Sequence, residues 1–185
     1  MTALTIPRFA TYWILIGSAI CIWDAGFVLN RPRSMPGGDL HWFWVPYAKY
    51  ITLDLLYGNM KNAFVVAQTW VNLLEIFTGL LALVLYHTNK GVNVKKANLG
   101  AFLLLVASIM TWAKTVLYFA HDHIDSVIFP ENHPDMSMID FIFLFFIPNV
   151  TWVCLPSLCI WNVSKQILNI VNGTANGSKS SKKNH

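Results

Sequence analysis

Four long apolar runs constrain this chain more than any other feature. They lie at Phe9 to Leu29, Phe64 to Tyr86, Ala97 to Phe119 and Ile139 to Ile160. A helix of about 20 residues crosses the hydrocarbon core of a bilayer, so each run is long enough to span. Of the 185 residues, 55% are hydrophobic and only 12% charged, about half the charged share of a soluble domain. A core this small cannot hide so much apolar surface, and lipid has to be the solvent for much of it. The predicted class is all-α, a four-helix transmembrane bundle. It forms one domain over residues 1–171, followed by a disordered tail over 172–185 that is rich in Gly, Ser and Lys.

The first run is too long for the core of a signal peptide. It carries Asp24 near its end, with no small-residue cleavage pattern after it, and is read as a retained helix. The loop that follows holds Pro32, Pro36, Gly37 and Gly38, then turns aromatic at His41, Trp42, Phe43, Trp44 and Tyr47. Amphipathic rings favour the bilayer interface, which predicts a short helix lying in that plane. Cys21, Cys154 and Cys159 all fall in apolar runs and are expected as buried free thiols.

Basic residues predict the orientation. The loop after the second run holds Lys90, Lys95 and Lys96 without an acid, and the C-terminal tail holds Lys165, Lys179, Lys182 and Lys183. The loop after the third run has Asp122, Asp125, Glu131 and Asp135 and no Lys or Arg. The excess of Lys and Arg on cytoplasmic loops places both termini in the cytosol. Arg31, Arg33, Lys49 and Lys61 in the first loop argue mildly the other way. The glycosylation patterns at Asn149, Asn162, Asn172 and Asn176 lie inside a span or on the cytosolic side, and none is expected to be used. Lys182 and Lys183, close to the end of the chain, match a dilysine retrieval signal and predict the endoplasmic reticulum membrane. The net charge of +4 comes from short clusters without interleaved aromatics, which points to topology and away from nucleic acid.

Ionisable residues inside spans are costly and mark either function or a needed pair. Depth counted along the helices, at about 1.5 Å per residue, divides the polar residues into two levels. Asp24 and Lys114 fall near one face of the membrane, and Glu75 and Asn149 fall near its middle. Gln68, Asn72 and Glu75 share one helix face, as do Ser108, Thr111 and Thr115, and Asn149, Trp152 and Pro156. Polar stripes in lipid must point inward, so a shared cavity is expected. A structural reading competes: Asp24 and Lys114 as an ion pair, and the amides and hydroxyls as interhelical hydrogen bonds. Glu75, with no basic residue at its counted depth, is expected to be a neutral acid able to protonate a weak base such as an alkene. His121 and His123 lack a nearby thiol and read as a solvated cap. No metal site, phosphate-binding loop or nucleophile elbow is found.

These residues resemble the emopamil-binding protein family, the EXPERA membrane fold that includes the 8,7-sterol isomerase and the sigma-2 receptor. The likeness rests on Val116, Leu117, Tyr118 and Phe119 leading into His123 and Asp125, and on Asn149, Trp152, Leu155 and Pro156. Tyr47, Ala48 and Lys49 in the first loop add to it, as does Asp24 before Gly26, Phe27 and Val28, with Glu75 in the second helix. The resemblance implies a reaction without a cofactor: a carboxylic acid protonates a ring alkene of a sterol or terpenoid, and a base removes a neighbouring proton. It implies Glu75 and Asp24 in proton transfer and Asn149 as an orienting amide. Trp152 would offer its face to the cation, an interaction of up to about 2 kcal/mol. Gln68, Asn72, Thr111, Lys114, Thr115 and Tyr118 are the further candidates for substrate contact. Two positions depart from the isomerase pattern: Ile20 stands where it has a histidine, and Lys114 has no counterpart there. The alternative is a non-catalytic sterol or cationic-amphiphile binder, with Asp24 pairing a ligand amine and Asp54 assisting. Expected partners are that small molecule, the bilayer and, in some family members, a second copy in a homodimer.

Overall fold

The computed structural model describes residues 2–128 and 137–181. Among them every regular element is helical: α1 Arg8–Leu29, a 3-10 turn His41–Phe43, α2 Tyr47–Leu53, α3 Leu55–Gly58, α4 Ala63–Asn89, α5 Val94–Ile128, α6 Met138–Asp140, a π turn Phe141–Phe146 and α7 Ile147–Ser181. Four helices are long and apolar enough to cross a membrane: α1, α4, α5 and the run from α6 through α7. The chain is a multi-pass membrane protein by this measure. Large apolar side chains such as Ile16, Phe77, Val84 and Trp161 point outward, which is the surface lipid requires.

Small residues set how closely the spans approach. α4 and α5 share the most extensive contact, followed by α5 with α7 and α1 with α4, while α1 hardly touches α7. A Cβ built on Gly100 would stand 2.7 Å from both the Ala82 carbonyl oxygen and the Tyr86 amide nitrogen. Ala82, Ala97 and Ala101 around it are buried. Small side chains let backbones come together where lipid supplies no hydrophobic drive. Asn62 starts α4 by accepting the Phe64 N–H on its side-chain oxygen at 2.8 Å.

Two apolar clusters close the ends of the bundle. One gathers Leu4, Ile6, Ala10, Leu83, Tyr86, Leu104, Cys159 and Val163. There the N-terminal strap is tied down, with Leu4 N–H donating to Asn98 and Thr5 N–H to Gln166, each at 2.8 Å. The other gathers Phe27, Val28, Trp44, Tyr47 and Val65. Between them α1, α4, α5 and α7 carry the polar residues.

The first loop folds back over the bundle. Its aromatic stretch forms a 3-10 turn, with α2 starting only at Tyr47. Trp42 and Phe43 are exposed, but Trp44 is buried and donates its indole N–H to the Trp23 carbonyl at 2.9 Å. Lys49 on α2 is ion-paired with Asp140 on α6. The π turn precedes Pro148, whose ring has no N–H and crowds the carbonyl four residues back. Widening the turn there relieves the clash.

Helix α7 runs through Ser181. Lys182 and Lys183 lie outside the described residues. Cys21 and Cys159 are buried free thiols as read from sequence, whereas Cys154 is exposed; being apolar is enough to face lipid and does not require burial.

Gly100→Ala is expected to lower stability by about 1–3 kcal/mol, the usual range for overpacking, because the atoms it meets are backbone. Thermal unfolding in detergent measures this, with Gly173→Ala in α7, where a Cβ meets nothing and helix propensity favours Ala, as the control that is not destabilised.

Candidate functional site

A cavity of about 330 Å³ lies between α1, α4, α5, α7 and the α2–α3 segment, at the lower end of the size of small-molecule sites. Because α1 and α7 hardly touch, it occupies the cleft between them. α1 contributes Ile20, Cys21, Trp23 and Asp24, and α4 contributes Val65, Gln68 and Asn72. Lys114, Thr115 and Tyr118 come from α5, and Phe143, Leu144, Pro148, Asn149 and Trp152 from the π turn and α7.

Asp24 is the one carboxyl among these lining residues, and two phenols hold it. Tyr47 donates its hydroxyl to Oδ1 at 2.5 Å and Tyr57 to Oδ2 at 3.1 Å. Tyr47 is fixed in turn by stacking on Phe27, with ring centroids 3.9 Å apart. Behind this clasp sits buried Asp54. Its Oδ2 accepts the hydroxyls of Tyr50, at 2.9 Å, and of Tyr118, while Oδ1 is buried without a partner. Burial pushes the Asp54 carboxyl above the ordinary aspartate value, against the opposing pull of the Tyr118 and Tyr50 hydrogen bonds. Burial and the neighbouring carboxyls push Tyr47, Tyr50 and Tyr57 up as well, so all three stay protonated and act as donors.

Lys114 pairs with Glu75, its Nζ 3.6 Å from Oε1, and both side chains are nearly out of reach, at 11% and 7% exposure. The sequence had placed Lys114 level with Asp24 and left Glu75 without a cation. That depth was counted from Phe119, but α5 runs on to Ile128, so Lys114 lies farther from the helix end and meets α4. Asp24 takes tyrosine donors instead.

Glu75 and Thr111 do not line the larger cavity. Both border a second cavity of about 20 Å³, together with Ser18 and Ala107, and Cys21 and Trp152 border the two spaces in common. Glu75 therefore faces the Trp152 side of α7 without sharing the space that Asn149 lines. Its Oε2 is buried with no partner.

The amides sit as the helix-face reading expected. Asn149 donates to the Phe145 carbonyl at 2.8 Å and lines the cavity. Gln68 donates to the Lys114 carbonyl at 3.0 Å, and Asn72 Oδ1 is buried without a partner. The hydroxyls of Ser108, Thr111 and Thr115 bond the carbonyl four residues back along α5, so they shield backbone more than they present donors. Trp152 meets Trp13 edge-on, centroids 4.8 Å apart. His121 stacks on Phe64 at 4.3 Å. Among the described residues no group of three His, Cys, Asp or Glu gathers for a metal ion.

Sequence reasoning missed Tyr50 and Tyr57. Tyr47 and Tyr50 stand three apart, one face of a helix, and would have been found had α2 been placed correctly; Tyr57 gives no local signal.

Glu75→Leu alone strands Lys114 and is expected to cost about 3–5 kcal/mol, whereas Glu75→Leu with Lys114→Met is expected to be near neutral. Thermal midpoints of the single and double variants in detergent check this. Protein-family models, curated proteins and solved structures contain no match to the chain, so its function is a matter of this geometry.

Proposed function

We propose that this protein is a membrane isomerase of EXPERA type, holding a sterol or terpenoid in the cleft between α1 and α7 and shifting its double bond by proton transfer. The observation that carries this reading is Asp24, a clasped carboxyl opening on a largely apolar cavity beside Asn149 and Trp152. A carboxyl has two oxygens, so one group can hand a proton to an alkene carbon and take one from the carbon two positions away. When the proton leaves, Asp24 becomes an anion facing the cation it has made, and Tyr47 and Tyr57 already donate to both its oxygens. The Trp152 ring adds cation–π attraction of up to about 2 kcal/mol. Apolar lining keeps water from trapping the cation. Lys114 would repel such a cation, and its pairing with Glu75 offsets that charge. Glu75 thus supports the site electrostatically, and the proton-transfer role passes to Asp24.

A second reading is favoured by one specific observation. Both Asp24 oxygens already accept hydroxyl donors, and Asp54 lies behind them, an arrangement suited to an ionised carboxylate awaiting an organic cation. On that reading the protein binds cationic amphiphiles or sterols without turnover, like the sigma-2 receptor.

Deuterium separates the two. Reconstituted protein given an 8-ene sterol, or a polycyclic terpenoid olefin, in heavy water is expected to place deuterium at the carbon that gains the proton. Asp24→Asn is expected to reduce incorporation by about 10²–10⁴-fold, the usual weight of general acid–base catalysis, and Glu75→Gln by far less. No incorporation into any such olefin, by protein that still binds an amine-bearing amphiphile, removes the isomerase and leaves the binder.

A further inference from the structure

Lys114 lines the 330 Å³ cleft, and its primary amine pairs with Glu75, Nζ standing 3.6 Å from Oε1. The alkene chemistry above gives it nothing to do beyond being neutralised. We propose that Lys114 is a covalent binding site for carbonyl-bearing lipids, aldehydes or ketones of the terpenoid and steroid class, which it holds as a Schiff base with Glu75 as counter-ion.

The groups needed for each step are present. A lysine attacks a carbonyl only as the free amine, and Glu75, in ion-pair contact with Nζ, can take its proton. The Nζ–C bond then forms as the C=O π pair moves to oxygen, and that oxygen takes a proton from the now positively charged nitrogen. Glu75 returns its proton to that hydroxyl, the C–O bond breaks, water leaves and C=N forms. One carbonyl and one amine give one imine and one water, with no oxidant or reductant. The protonated imine keeps a positive charge beside the Glu75 carboxylate, so the ion pair of the free protein carries over into the adduct. Glu75 has Oε2 buried without a partner and borders the smaller cavity of about 20 Å³ that it shares with Ser18. That volume matches a single water, the molecule that formation releases and hydrolysis consumes. The rest of the ligand would lie along Trp152 and Leu144, which line the same cleft.

The proposal shares the cavity, Trp152 and the Lys114–Glu75 pair with the isomerase reading but no chemical step, so deuterium transfer can fail while this succeeds, or the reverse. The unaltered protein in nanodiscs is treated with farnesal and sodium cyanoborohydride, and the reduced adduct is mapped by peptide mass. Label is expected on Lys114 in about tenfold or greater excess over Lys90, Lys95 and Lys96, as expected of an oriented, confined reaction. An excess of farnesol, the same lipid without a carbonyl, is expected to suppress the Lys114 label alone. Glu75→Gln is expected to slow labelling at least about tenfold, since the amine loses its proton acceptor. Lys114 labelled no more than the exposed lysines, or labelled equally with farnesol present, overturns the proposal; both measurements use the native chain and need no variant to fold.

Discussion

An ammonium and a carboxylate facing each other inside an apolar bundle dictate much of what surrounds them. Lipid cannot solvate either ion, so wherever Lys114 stands on α5, an anion on a neighbouring span has to meet it. Glu75 does so from α4, and the two helices carry the small side chains that allow the approach, with Gly100 against the backbone of Ala82 and Tyr86. Such a pair adds little net stability over two apolar residues. What it adds is register: sliding α5 along α4 by one turn, about 5.4 Å, would strand both charges. Once Lys114 is committed to α4, Asp24 on α1 is left facing the cleft, and its donors have to come from elsewhere.

They come from the first loop. Tyr47 and Tyr57 reach Asp24 from α2 and α3, and Arg31 bridges the same region by donating to the Val28 and Tyr57 carbonyls at 3.1 and 2.8 Å. Tyr50 repeats the arrangement with Asp54 from within α2, and Tyr118 on α5 joins it there. The loop is therefore a wall of the site, held to α1 and α5 by phenol–carboxylate bonds and to α6 by Lys49 and Asp140. A phenol suits this position because one end packs on rings such as Phe27 while the other supplies a donor. That dual character builds a polar pocket out of residues that also serve an apolar cluster.

The four spans were legible because each is a continuous apolar run, and the inward amides were legible because helical spacing puts Gln68 and Asn72, or Asn149 and Trp152, on one face. Pairing between helices was not. Depth counted from the apparent end of an apolar run misplaced Lys114, since α5 continues beyond Phe119, where that run stops, to Ile128, and a polar extension leaves no hydropathy signal. The tyrosines escaped for a related reason: their function depends on a loop folding back over the bundle, and nothing in Tyr57's neighbours in sequence encodes contact with Asp24. Local pattern reports which face a residue occupies. It does not report which of several inward faces it meets.

The consequence for chemistry follows from where space lies. A mid-membrane acid looked like the proton donor because an uncompensated carboxyl in lipid has to be neutral. Compensation by Lys114 removes that reason, and Glu75 borders a space sized for a water, not for a lipid. Asp24 has the opposite pair of properties: it lines the larger cleft, and its partners are neutral hydroxyls that support either protonation state. A hydroxyl can donate to the carboxylate or turn to accept from the acid, so the clasp holds the carboxyl in place without fixing its charge. An ammonium partner would fix it. On the proposed isomerase reading, the pairing of Lys114 with Glu75 and not with Asp24 leaves the Asp24 carboxyl to hydroxyl partners, able to exchange a proton with a ligand in the cleft.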